Sequence, residues 1–331
     1  MTLPMITADQ IARHIDHADA VDALERALRG GLDPAGDIPR SSTPVDAGEL
    51  LYMPSQFGEG PESRVGAKLL SIAPENPSRG KERIQGTYLL MDGETLSPIA
   101  LVDGVALTGI RTSAVSALAA RHLASARAEK LVVFGSGPQA KSHIAALRSV
   151  LPIKEVVIIG RDGYKAEGLA AWAIERGLRA RIGQAVPTKQ ALSDADIVVC
   201  ATTAAEPLFE DAWLRPGALA IAVGSHEPAK RELPGELLGR ASVVVEDPAT
   251  AMREAGDVIM AVQEGRLEEG SLIGLRELVL GEADLRPSAP RVFKSVGQSW
   301  EDLVVASAIV DRVPRQSPRY PVGGIGRSRR A

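Results

Sequence analysis

The stretch "LVVFGSGPQAKSHIAALRSV" (131–150) decides the fold. It opens on an apolar run, turns through Gly135, Ser136 and Gly137, and then places Ala140, Ile144 and Leu147 at helical spacing. The order is strand, tight turn, helix. Gly135 permits the turn. Gly137 has no Cβ, so a phosphate can approach the backbone, and Ala140 lets the helix pack close to the strand. Pro138 suits a first helical turn, and Gln139 completes the loop. Free N–H groups and the positive end of the helix dipole then face an anion. A bare GxGxxA is common. One that follows a strand and opens a helix reads as a pyrophosphate loop, with Gly135, Ser136, Gly137, Pro138 and Gln139 as cofactor contacts.

Beyond this loop, unbroken β-branched runs alternate with helix-like segments. The runs are "EVVIIG" (155–160), "ARI" (180–182), "DIVVCA" (196–201), "ALAIAVG" (218–224), "SVVVED" (242–247) and "RVFKSVG" (291–297). Such runs predict a parallel sheet covered on both faces, an α/β doubly wound Rossmann-type arrangement. An acid normally ends the second strand and takes the ribose hydroxyls. Here Gly160 stands at that point and Arg161 follows, a pairing that suits a 2′-phosphate and favours NADP over NAD. The alternative gives Asp162 the ribose hydroxyls of NAD and leaves Arg161 in solvent. Ligands of open α/β sheets sit at the carboxyl ends of the strands, which adds Thr202, Val223, Gly224, Ser225, Ser295 and Gly297 as cofactor contacts.

Before residue 108 the pattern differs. Thr7 is a suitable N-cap for "ITADQIARHI", and "HADAVDALERALRGGL" continues as a helix that Gly30-Gly31 stop. "DPAGDIPRSSTPVDAG" reads as a loop. The runs 50–55, 64–73, 84–92 and 96–104 read as an antiparallel meander, with Asp92-Gly93 as a hairpin signal. "EDLVVASAIVDRV" (301–313) reads as a final helix packing back on this region. The expected division is residues 1–116 with 298–320 as a substrate-binding α+β domain, 117–297 as the dinucleotide-binding domain, and 321–331 as a loose tail.

Composition excludes several classes. The chain has 331 residues and a net charge of −4, and its one basic cluster, "RSRR", lies at 327–330. Nucleic acid is therefore not an expected partner. No apolar run reaches the ~18 residues of a membrane span, and the first residues lack a secretion signal. The single cysteine, Cys200, excludes an intramolecular disulfide and indicates a reducing, cytoplasmic setting. No His/Cys/Asp cluster has metal-ligand spacing, so no metal is expected.

Three cations and one histidine stand out. "RVGAKLLSIA" (64–73) alternates, so Lys68 shares a face with Gly66, Leu70 and Ile72. On a buried face it needs a partner or an anion; on an edge strand it would reach water. Arg111, in "TGIRTSAV", reads as lying near a helix N-terminus, where a guanidinium fork and backbone donors suit a carboxylate. Arg40 lies in a loop, and Met53 is an apolar pocket candidate. His226, beyond the strand "AIAVG", has a side chain that titrates near neutrality and suits proton transfer.

"YMPS" (52–55), "GAKLLSIAPENP" (66–77), "LVDGVALTGIRTSAVSALAARHLA" (101–124), "GSGPQA" (135–140), "AVGSHEPAKREL" (222–233) and "VFKSVGQSWEDL" (292–303) resemble the ornithine cyclodeaminase/μ-crystallin family. The resemblance implies a Rossmann domain inserted in a domain whose mostly antiparallel sheet builds a homodimer. It also implies that Arg40, Lys68 and Arg111 hold a substrate carboxylate beside the nicotinamide, with Thr112 next to the pocket or the cofactor phosphates. Cyclodeaminases of the family carry an aspartate where this chain has His226. The expectation is an NAD(P)H-dependent enzyme that reduces the C=N bond of a small imino acid, such as Δ1-pyrroline-2-carboxylate or Δ1-piperideine-2-carboxylate, or oxidises an amino acid. Lys68, Arg111 and His226 are its catalytic candidates. The alternatives are an ammonia-releasing ornithine or lysine cyclodeaminase, and a non-catalytic NADPH-binding protein.

Overall fold

The computed structural model describes residues 3–183 and 189–314. The expected tail 321–331 and the end of the expected first domain lie outside them.

A six-stranded sheet forms first: β1 (Met5–Ile6), β2 (Ser41–Val45), β3 (Gly48–Phe57), β4 (Arg64–Ile72), β5 (Ile84–Asp92) and β6 (Pro98–Asp103), in the order β1-β6-β5-β4-β3-β2. Only β1 and β6 pair in parallel; the rest is the expected antiparallel meander. β2 corrects the sequence reading, which left those residues in a loop. All five are exposed and one is Pro44, so no alternating signal marks them. Across the N-terminal segment run α1 (Ala8–His14) and α2 (His17–Arg29). Thr7 caps α1 through a capping box with Gln10, as its sequence position predicts. Asp16 caps α2 in the same way with Asp19, which separates the two helices.

Helix α3 (Gly104–Leu123) links this sheet to the next and runs through the expected domain boundary at 116/117. The eight-stranded sheet is wholly parallel: β7 (Lys130–Phe134), β8 (Glu155–Ile159), β9 (Arg179–Ile182), β10 (Ile197–Cys200), β11 (Leu219–Ala222), β12 (Ser242–Val245), β13 (Ile273–Gly274) and β14 (Arg291–Lys294), in the order β13-β12-β14-β11-β10-β7-β8-β9. Its connections carry α4 (Pro138–Val150), α5 (Gly163–Glu175), α6 (Lys189–Leu192), α7 (Gly235–Arg240), α8 (Pro248–Glu254), α9 (Gly256–Gln263) and α10 (Leu275–Leu280). The inner strands are buried at every position, which explains their unbroken apolar runs. From β7 the chain winds to β8 and β9 on one side and later resumes at β10 on the other. The switch point therefore lies between β7 and β10, the place where open α/β sheets receive their ligands.

The last helix, α11 (Ser299–Arg312), packs against β3, β4, α2 and α3, on the first sheet. It returns the chain to the N-terminal region, as its apolar spacing predicts. Trp300, Leu303, Val305 and Ile309 carry the contact and are buried.

Candidate active site

The glycine loop comes first in the chain's own logic. Gly135 has φ +115°, and a Cβ there would lie 2.4 Å from the Ala201 carbonyl oxygen just beyond β10. Only glycine tolerates both constraints. Gly137 is the N-cap of α4, contributes no side-chain cap, and has no atom within 4 Å of where a Cβ would stand. The first-turn amides of α4 thus face open space at the switch point, which fits a pyrophosphate. Gly160 closes against Ser136, whose Oγ would lie 3.0 Å from an added Cβ. Arg161 is exposed and its Nη2 donates to Thr203 Oγ1 at 3.3 Å, so its side chain reaches across toward the end of β10. Asp162 is engaged as the cap of α5, accepting from the Lys165 amide at 3.1 Å.

The first sheet supplies the cations. In β4 the buried positions alternate, and Lys68 lies on the inner face with no exposed surface. Its Nζ sits 2.6 Å from Asp302 Oδ2 and 3.3 Å from Thr108 Oγ1. Burial, reinforced by the neighbouring Arg111 charge, lowers its pKa to about 8. Arg111 corrects the sequence reading. It lies inside α3 rather than at its start, because Asp103 accepts from the Val105 and Ala106 amides and starts the helix at Gly104. The helix N-terminus therefore contributes no donors beside the guanidinium. Arg111 Nη1 donates to Glu301 Oε2 at 2.6 Å, and Nε stands 3.2 Å from Asp302 Oδ1. Burial opposes the charge of this guanidinium, but Asp302 and Glu301 outweigh it and raise its pKa. Glu301 moves up to about 8, because burial outweighs its partner Arg111.

These groups converge. Met53 is the cross-strand partner of Lys68, and it lines a cavity with Asp37, Arg40, Gly297 and Gln298. Gly297 has φ +77°, and its missing Cβ would meet Arg111 Nη1 at 2.4 Å. The loop after β14 thus lies directly over the guanidinium. Glu246 holds that loop by accepting from the Val296 and Gly297 amides at 3.0 and 2.9 Å. Arg40 Nη2 pairs with Glu254 of α8 at 2.5 Å, and Nη1 donates to Val296 O at 3.3 Å. Helix α3 also lies along α4, through Ser113–Ser142 at 2.9 Å and Ser116–His143 at 3.0 Å. The cationic cluster and the glycine loop are therefore mounted on adjacent helices.

The remaining candidates occupy the strand ends. Thr202, Val223, Gly224, Ser225 and Ser295 follow β10, β11 and β14. Thr112 lies beside Arg111, and its hydroxyl is buried with no partner among the described residues. The Gln139 Oε1 is likewise buried and unpaired among the described residues. His226 is exposed on the loop after β11 and makes no hydrogen bond among the described residues. The protein around its ring, with the charge of Arg40, lowers its pKa. Among the described residues no acidic or sulfur cluster has the geometry of a metal site. No described helix is long and apolar enough to cross a membrane.

Sequence reasoning missed the acids. Asp302, Glu301, Glu254 and Glu246 each complete the setting of a cation or of the loop above it. Glu301 and Asp302 stood in a recognised helix. Their helical phase, two buried carboxylates beside apolar neighbours, was the available signal.

The pattern of the ornithine cyclodeaminase/mu-crystallin family matches residues 2–317. A Δ1-pyrroline-2-carboxylate reductase of Bacillus cereus is 36% identical over 279 residues, which is 82% of this chain and 85% of the relative. Ketimine reductase mu-crystallin of Rattus norvegicus is 30% identical over 92% of this chain and 96% of its own. Among solved structures, the Thermococcus litoralis Δ1-pyrroline-2-carboxylate reductase in complex with NADH and L-proline superposes with a TM-score of 0.86. It is 26% identical and covers 94% of this chain and 97% of its own. An archaeal alanine dehydrogenase dimer with bound NAD gives 0.85 at 27% identity, over 94% and 96% of the two chains.

Proposed function

The chain belongs to the ornithine cyclodeaminase/mu-crystallin family, and we propose that within it this protein is an NAD(P)H-dependent enzyme of the C=N/CH–NH bond of a small imino or amino acid. The observation that carries this reading is the buried Lys68–Arg111 pair set beneath the loop that follows β14, beside the glycine-loop helix. Relatives named as pyrroline-2-carboxylate reductase, ketimine reductase and alanine dehydrogenase support it.

A nicotinamide, when bound, would supply the hydride. The chain's own residues bind and orient the acid. Arg111 and Lys68 take its carboxylate, Arg40 stands at the cavity rim, and Met53 lines the space for an apolar ring. Fixing the imine carbon in this way is worth several kcal/mol, on the order of 7 when alignment is good. Each cation already faces a carboxylate: Asp302 stands beside both Lys68 and Arg111, and Glu254 beside Arg40. The arrangement therefore suits a ligand that carries its own positive nitrogen, a protonated imine with one carboxylate. To His226, on the loop after β11 and near enough to Arg40 to feel its charge, we give the role of holding or delivering a proton. For the dinucleotide we favour NADP, because Arg161 reaches over the end of β8 and Asp162 is occupied as a cap.

We also place a second copy of the chain on the outer face of the first sheet. There Tyr52 is 49% exposed and Leu69, its direct cross-strand neighbour, 54%. Light scattering should return twice the 34.9 kDa of one chain; a monomer mass removes this part. We assign the protein to the cytoplasm, where a single buried thiol stays reduced. The functional test is a panel of cyclic imino acids and amino acids with NADPH and NADH, following absorbance and ammonia together. Cofactor oxidation matched by cyclic amino acid, without ammonia, is the expected result. Ammonia release without net cofactor use would make it a cyclodeaminase, and dinucleotide binding without turnover a binding protein.

A further inference from the structure

A second set of buried charges lies under the other side of the cleft, at the carboxyl ends of β10, β11 and β14. Glu232, Asp257 and Lys294 have no exposed surface. Glu232 Oε1 accepts from Thr202 N at 2.8 Å and from Thr202 Oγ1 at 2.7 Å, while Oε2 accepts from Gly224 N at 2.7 Å. Asp257 Oδ1 accepts from the Glu232 and Leu233 amides, both at 2.8 Å. Its Oδ2 faces Lys294 Nζ at 3.4 Å. Lys294 Nζ donates to Ser225 O at 2.6 Å, Ser295 O at 3.0 Å and Ala222 O at 3.4 Å.

Burying three ions costs several kcal/mol each before their partners offset it, and apolar side chains hold strands together at lower cost. What the ions add is direction. Glu232 and Lys294 fix backbone amides, carbonyls and a hydroxyl at strand ends, those of Thr202, Gly224, Ser225 and Ser295, while Asp257 holds Glu232 through the Glu232 and Leu233 amides and faces Lys294. The approach around Gly224 is so close that a Cβ there would lie 2.1 Å from Thr202 O and 2.5 Å from Glu232 Oε1. Glu232 also closes the loop 224–232 on itself, and that loop carries His226. Segments without regular structure reach a ligand geometry at a cost in entropy unless something holds them beforehand.

We propose that Glu232, Asp257 and Lys294 are positioning residues for the dinucleotide, holding the ends of β10, β11 and β14 in the arrangement that receives its nicotinamide half. The inference rests on the dinucleotide reading given above. It also explains why "VGSHEPAKREL" and "VFKSVG" belong together: the glutamate of one and the lysine of the other meet through Asp257.

The test is Glu232→Gln. The amide keeps the shape and can still accept from Thr202, but it turns an N–H toward the Gly224 N–H. Direct NADPH and NADH binding, read by quenching of protein fluorescence, should weaken about tenfold, the size of losing one charge-assisted hydrogen bond. The KM for the imino acid at saturating cofactor should stay within about twofold. Asp257→Asn, which still accepts from both amides, should give a smaller shift in the same direction and serves if Glu232→Gln does not fold. Dinucleotide binding as tight as wild type in a folded variant overturns the inference alone. A wild-type chain that binds neither dinucleotide overturns the functional reading, and the inference with it.

Discussion

Lys68 in β4 and Lys294 in β14 are both wholly buried, and each faces a buried aspartate. Their surroundings differ in one respect. An ammonium has three donors. Lys294 spends them on Ser225 O, Ser295 O and Ala222 O, and adds Asp257 at 3.4 Å. Lys68 has Asp302 and a distant Thr108 hydroxyl, stands beside a second cation, Arg111, and is the cross-strand partner of Met53, which lines the cavity. A saturated lysine organises backbone. An unsaturated one keeps a donor and a share of charge for something else. The contrast separates the two halves of the proposed site: in our reading the first sheet presents groups to an anion, and the second uses its ions to shape a loop.

Replacing each lysine by methionine breaks or sharpens this contrast with the largest effects. Both variants leave an aspartate without its ammonium, so both should lose about 3–5 kcal/mol of stability. Lys68→Met should also lower kcat/KM for the imino acid by about 10²–10³, the loss of roughly 3–4 kcal/mol of binding in the transition state, with dinucleotide affinity nearly unchanged. In Lys294→Met the dinucleotide affinity should fall instead. Titrating both ligands against both variants checks the crossing; if either variant loses the same ligand as the other, the two lysines do the same job.

Much of the first half of this contrast was legible in the sequence, and little of the second. Alternation in "RVGAKLLSIA" puts Lys68 on the buried face because β4 has one wet side, so period two carries information. β14 is buried on both faces, alternation vanishes there, and Lys294 reads as one more residue of a strand end. The partners were hidden for another reason. Asp302 lies 234 residues from Lys68 and Glu301 lies 190 from Arg111, and no local spacing encodes a contact made by α11 returning to the first sheet. Arg111 was misplaced within its helix because "LVDGVAL" reads as strand and turn, whereas Asp103 caps a helix there. The two-residue strands β1 and β13 are too short to have a period at all.

The pH dependence gives a smaller effect with a distinctive sign. Lys68 faces Asp302, Glu301, Arg111 and Thr108, and its pKa lies at about 8. Above that pH the amine loses its charge and its pull on a carboxylate, so the KM for the imino acid should rise by up to about tenfold per pH unit. Stability should move the other way. Between about 8 and the ordinary lysine value near ~10.4, the unfolded chain keeps a proton that the folded protein has released, so the contribution of this group to stability rises with pH. Glu301, lifted to about 8, acts in the opposite sense and below that point: from the ordinary glutamate range up to about 8 the folded state holds the extra proton, and stability falls as pH rises. A KM that climbs above pH 8 while urea midpoints do not fall is the signature. A flat KM to about pH 9.5, more than a unit beyond the Lys68 value, would remove its charge from substrate binding.

The smallest expected effect tests the end of β8 in the second sheet. Arg161 is exposed, and its one hydrogen bond among the described residues, to Thr203 Oγ1, is 3.3 Å long. It contributes little to stability, since exposed contacts of this kind are worth at most about 1 kcal/mol. Its guanidinium is therefore free to turn toward a 2′-phosphate, for which a forked donor is well suited. Arg161→Ala should leave the thermal midpoint and the NADH KM unchanged and raise the NADPH KM about five- to tenfold, one solvent-screened charged hydrogen bond. Added salt should shrink the difference in the wild-type protein, because that contact lies in water. The buried cluster should show no such salt dependence in its hold on the imino acid carboxylate. Equal changes in KM for both dinucleotides would return the preference to NAD and leave Arg161 as a surface residue beside the cap of α5.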